Sequence, residues 1–120
     1  MNYHTSYVSK ITELENNQLV SCSGDNSVIF YVKENNEYKK DYKISTNGEC
    51  SSVTQTQNYE ICYSEKKNNA ICFFDFFKRE IKQRLNNISE PNGYLKKSLM
   101  IAKDLLLIGG KNKLSIINIK

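Results

Sequence analysis

One histidine, one proline and two arginines are all that this chain of 120 residues spends on those types. Each scarcity closes off a class of function. With His4 as the sole imidazole, Ser/His or Cys/His nucleophilic chemistry could centre only there. The 5 glycines form no Gly-rich phosphate cradle. Cys22, Cys50, Cys62 and Cys72 contain no CxxC pair and lie far from His4 in sequence, whereas a zinc site wants paired ligands a few residues apart. No metal or cofactor is therefore expected, and no enzyme activity. No run approaches the ~18 apolar residues of a spanning helix, and MNYHTSYVSKITELENN lacks a basic segment followed by an apolar one. The expectation is a soluble, cytoplasmic chain with no membrane contact. Its four thiols are expected to be reduced and packed as small apolar groups. Arg79 and Arg84 are the only arginines, and phosphate and base-edge recognition leans on Arg, so a nucleic-acid-binding module using surface Lys is the weaker alternative.

What is present reads as one folded domain. Hydrophobic residues make up 39% and charged residues 25%, with a net charge of +4, which fits a globular chain rather than a disordered one. Asn and Lys each occur 15 times and Ile 12, a compositional bias into which no function for Asn is read.

Self-similarity carries more. LVSCSGDNSVIFYV, CYSEKKNNAICFFDF and LLLIGGKNKLSIINI superpose with Val28, Ile71 and Leu114 spaced 43 apart, as are Asn26, Asn69 and Asn112. Each copy holds a β-prone run, a polar turn with Asn, and a second β-prone run, the pattern of a hairpin. The second runs are apolar at consecutive positions, such as Val28 to Tyr31 and Ile71 to Phe74, so both faces of these strands must be covered. Further strands are expected before the hairpins at 7–12, 52–56 and 98–102, and after them at 38–44 and 80–85. Four short strands per repeat with both faces buried fit the blade of a β-propeller.

The segment HTSYVSKITELENNQLVSCSGDNSVIFYV resembles a WD repeat: His4 at the family's Gly-His position, Val8 and Ile11 on the first strand, Ser21, Asp25 in the turn, and Tyr31 where the family has Trp. The resemblance implies an all-β, WD-repeat-like propeller segment of about three four-stranded antiparallel blades in an open arc, at about 4–44, 50–86 and 97–120. The last would lack its outer strand. It also implies a structural tetrad of His4, Ser21, Asp25 and Tyr31, in which buried polar groups pair with one another. By the constant spacing of 43, Ser21 corresponds to Ser64 and then Leu107, and Asp25 to Asn68 and Lys111. The later copies are therefore expected to rely on apolar packing.

In the family's arrangement the leading loops and hairpin turns share one face. That face is expected to meet a protein partner of unknown identity, through Tyr7, Glu49, Lys67, Asn68, Tyr94, Lys96 and Lys111. An open arc would also leave apolar rows wet, led by Val28 to Tyr31 and Leu114 to Ile117, so self-association or completion by further blades is expected.

Overall fold

The computed structural model describes residues 3–67 and 70–86 in full, and the strand backbones 97–102, 105–109 and 114–118. Eleven strands are found among these residues: β1 (Val8–Glu13), β2 (Leu19–Ser23), β3 (Ser27–Glu34), β4 (Glu37–Ser45), β5 (Val53–Gln57), β6 (Glu60–Glu65), β7 (Ala70–Asp75), β8 (Glu80–Leu85), β9 (Lys97–Ala102), β10 (Leu105–Gly109) and β11 (Leu114–Asn118). They form two four-stranded antiparallel sheets, β1-β2-β3-β4 and β5-β6-β7-β8, and a three-stranded sheet β9-β10-β11. Strand order follows chain order, so every neighbour is reached by a hairpin.

Turn chemistry gives four of the asparagines a use. Asn17, Asn26, Asn35 and Asn36 all adopt positive φ, a region where Asn costs less than other non-glycine residues. Asn35 and Asn36 form the two-residue link between the paired Glu34 and Glu37, where left-handed backbone at both positions matches the twist of the flanking strands. Compositional bias thus has a backbone use here that the sequence did not disclose.

The main core lies between the first two sheets. Val20, Cys22, Val28 and Phe30 of the first meet Val53, Ile61, Tyr63, Cys72 and Phe74 of the second, with Leu14, Cys50 and Phe76 filling the ends. Phe30 is the hub, stacked 4.6 Å from the Tyr42 ring and 5.8 Å from those of Phe74 and Phe76. Burying such a side chain contributes ~1.5–3 kcal/mol.

The expectation that Val28 to Tyr31 would be wet is wrong: all four are buried. Val28 and Phe30 face the second sheet, while Tyr31, on the other side, lies beside the ring of Tyr3 from the leading loop. The exposed apolar residues on that side belong to β1 instead, with Val8 at 47% and Ile11 at 61%. Leu114 to Ile117 lie on β11, and their side chains fall outside the described residues.

Candidate functional site: the loop ends of the sheets

Because all the sheets are antiparallel, the leading loop (residues 3–7), the β2–β3 turn, the 46–52 connection and the β6–β7 turn gather at one end. Backbone bonds stitch them there: Gly24 N to Tyr7 O at 3.1 Å, Cys50 N to Ser23 O at 3.1 Å, Thr46 N to Asn26 O at 2.9 Å and Lys66 N to Glu49 O at 3.0 Å.

Beneath this end, His4, Ser21, Asp25 and Tyr31 lie in one hydrogen-bonded chain. His4 Nδ1 is 3.0 Å from Asp25 Oδ2, His4 Nε2 is 2.6 Å from Ser21 Oγ, and Ser21 Oγ is 2.7 Å from the Tyr31 hydroxyl. Donor inventory sets the directions. An ionised carboxylate only accepts, so Nδ1 carries the proton toward Asp25; in that tautomer of the neutral ring Nε2 accepts from Ser21, and Ser21 in turn accepts from Tyr31. Two further groups, absent from the sequence reading, complete the cluster: Ser27 Oγ donates to Asp25 Oδ1 at 2.5 Å, and Thr5 N donates to Oδ2 at 2.9 Å. Burial pushes the Asp25 carboxyl up, but the bonds from Ser27, Thr5 and His4 outweigh it and hold its pKa at about 2. On Tyr31 burial prevails over the Ser21 bond and raises the phenol.

The correspondence drawn by constant spacing fails on β6. Ser21 stands opposite Ile29, and the residue 43 after Ile29, Cys72, stands opposite Tyr63, not Ser64. The cause is the hairpin turn: three residues separate Ser23 from Ser27, whereas four separate Glu65 from Ala70. A one-residue slip moves a side chain to the other face. Ser64 Oγ accordingly accepts from the backbone N of Ser51 and Ser52, both at 3.1 Å. Likewise Ser115 pairs with Ile108 and not with Leu107.

Apolar packing alone does not hold the second sheet. Glu65, 1% exposed, receives Arg84 Nε at 2.8 Å, Asn47 N at 2.8 Å and the Cys72 thiol at 3.1 Å. This ionic clamp joins connecting loop, β6, β7 and β8, where the first sheet joins leading loop, β2, turn and β3. Its consequences are chemical as well as mechanical. Burial first, and then the Glu65 carboxylate, push the Cys72 thiol up to about 12, while Glu65 raises Arg84. A charged pair on β6 and β8 flanking an apolar β7 was the available sequence signal. The four thiols are all free and buried, with Cys22, Cys62 and Cys72 on strands and Cys50 in the connection.

Of the candidate partner-binding residues, the structure brings Tyr7, Glu49 and Lys67 together with Lys66. The Tyr7 hydroxyl donates to Glu49, and Lys66 Nζ lies 3.2 Å from Glu49 Oε1. Lys67 N donates to Asn47 O at 3.2 Å. Gly24 makes room for this, since a Cβ there would fall 2.5 Å from the Tyr7 ring. Gly48, at φ 84, lies so close to Lys67 that a Cβ would meet its backbone N at 2.8 Å. Asn68, Tyr94, Lys96 and Lys111 lie outside the described residues.

No family model matches the chain, and no curated protein sequence matches it. Among solved structures it is similar to one titled the crystal structure of the mitotic checkpoint complex, with a TM-score of 0.80 at 15% identity. The match covers 97% of this chain and 36% of that one, so the chain spans about a third of the neighbour's length. The likeness is one of fold, and with the two four-stranded antiparallel sheets it supports a WD-repeat-like β fold.

Proposed function

We propose that the chain is a non-catalytic interaction scaffold, a segment of about three propeller blades in an open arc that offers its loop end to a protein partner. The observation carrying this is the loop end itself: Tyr7, Glu49 and Lys66 form an exposed polar strip across the seam between two sheets, held from below by two buried clamps. Rigid support under exposed loops is how binding residues are commonly presented. A scaffold role is in keeping with His4, whose two ring nitrogens are both engaged and which is only 9% exposed, so that the imidazole is not free to act as a base. Both arginines stand in ion pairs, Arg79 with Asp41 and Arg84 with Glu65, which speaks against a polyanion-binding role. Self-association or completion by further blades would run through the side of β1 that exposes Val8 and Ile11.

The experiment is quantitative affinity purification with the full chain and two variants. Lys66→Glu/Lys67→Glu reverses charge at the loop end, and Lys40→Glu/Lys43→Glu does so on the outer strand. The proposal expects at least one partner lost tenfold with the first variant and retained with the second. Partners equally insensitive to both changes would contradict it.

A further inference from the structure

The opposite end of the sheets, remote from the loop strip, carries a cavity of about 220 Å³ between the β1–β2 and β5–β6 turns, lined by Glu15, Asn16, Gln55, Asn58, Tyr59 and Phe76. Its floor is aromatic. The Tyr59 ring lies 5.7 Å from that of Phe76 and 5.2 Å from that of Phe77, and Phe77 is 73% exposed. Its rim is polar, with one carboxylate and no cation among the lining residues. Glu15 has no ion-pair partner among the described residues, while its backbone N is fixed by Gln55 Oε1 at 2.9 Å. The Asp75 carboxylate accepts the backbone N of Phe77 and Lys78, each at 2.9 Å, and so holds the turn that presents Phe77.

Comparison of the two repeats makes this more than a dent. Glu13 pairs with Leu19 and Gln55 with Ile61, but beyond a bulge β5 and β6 pair once more, Gln57 with Glu60, which leaves a two-residue turn where β1 and β2 leave five residues. Counted back from the paired Leu19 and Ile61, Asn17 and Tyr59 hold the same place, and both are left-handed, at φ 67 and φ 61. Asn suits that backbone; a bulky aromatic there is strained, and strain of this kind gathers at functional sites. The Tyr59 ring covers Phe76 and, at 49% exposed, also lines the cavity.

We propose that this cavity takes an arginine side chain from a protein partner, its guanidinium stacked on Tyr59 and paired with Glu15. The inference goes beyond the loop-end reading and involves none of its residues. The cavity is smaller than the ~300–1,000 Å³ of small-molecule sites, and suits a single side chain. Arginine rather than lysine fits, because a planar guanidinium both stacks on rings and meets a carboxylate in two-pronged fashion. The same chemistry already operates within the molecule, where the Arg79 guanidinium lies 4.1 Å from the Tyr42 ring and 3.3 Å from Asp41.

The test is a titration of the isotope-labelled full chain with acetyl-Gly-Arg-Gly-amide, followed by backbone amide shifts. Saturable shifts centred on Glu15, Asn58 and Tyr59 are expected, weaker with the Lys peptide and absent with the Glu peptide. Glu15→Gln and Tyr59→Asn should each weaken binding at least fivefold. Tyr59→Asn installs the residue the first sheet carries at this turn, so it should fold, which its spectrum checks. Lys67→Glu at the far end should leave the titration unchanged. Equal response to the Glu peptide, or undiminished binding in folded Tyr59→Asn, would overturn the assignment without touching the loop-end reading.

Discussion

Tyr31 and Phe74 occupy one place in successive sheets. Each follows a β-bulge in its pairing with the outer strand, and they stand opposite Leu19 and Ile61 on the second strands. The rings differ in what they can hold. The Tyr31 hydroxyl donates into the His4 cluster, while Phe74 has nothing to donate and packs against Phe30 and Tyr42. The first sheet is therefore closed by a hydrogen-bonded chain reaching Asp25, and the second by the Glu65–Arg84 pair.

The first cluster should be sensitive to its acceptor. Asp25→Ala leaves His4 Nδ1, Ser27 Oγ and Thr5 N without their shared partner, and should cost ~1–3 kcal/mol in denaturant melts. Glu49→Ala, at an exposed and solvent-screened ion pair, should cost much less. Equal costs would remove the distinction.

Acid should reach the same site. The Asp25 pKa is lowered from 3.8 to about 2, so the stabilisation is complete above pH ~4 and lost as pH falls toward 2. With its side chain 9% exposed, this amounts to ~2 kcal/mol. The gap between wild type and Asp25→Asn should narrow across that window, and a gap constant from pH 5 to pH 2 would contradict the assignment.

The second clamp makes a two-part prediction. Arg84→Ala strands a buried carboxylate and should cost ~2–4 kcal/mol, whereas Glu65→Leu/Arg84→Met removes both charges and should recover most of that loss. A double variant less stable than the single one would show the pair to be worth more than its desolvation.

Much of this architecture was legible from residues. Consecutive apolar positions at Val28 to Tyr31 and Ile71 to Phe74 marked strands covered on both faces, and both segments are buried on β3 and β7. His4, Ser21, Asp25 and Tyr31 could be singled out because the resemblance assigns each a place. The register of the second hairpin was not legible: constant spacing cannot show a turn longer by one residue, so Ser64 was aligned with Ser21 when Tyr63 stands there. The Glu65–Arg84 pair was only half legible, because opposite charges on either side of an apolar run do not say which of them meet. Only the strand pairing of Cys72 with Arg84 brings that guanidinium to a carboxylate on β6, and pairing across 19 residues is a tertiary fact.

The β3–β4 hairpin offers a test of turn chemistry. Asn36, at φ 65, should tolerate Gly with little change, while Asn36→Ala should cost ~1 kcal/mol through the left-handed backbone a Cβ disfavours. Thermal melts distinguish the two, and equal effects of Gly and Ala would place the cost in the lost side chain instead.

The central claim is that the one histidine of this chain is part of a buried clamp. Because it is the only one, long-range nitrogen–proton spectra read its tautomer without ambiguity. The account predicts a proton on Nδ1, slow to exchange because Asp25 holds it, with Nε2 bare and accepting from Ser21, and the loss of this pattern in Asp25→Ala. A proton resident on Nε2, or an imidazole exchanging freely with solvent, would contradict it.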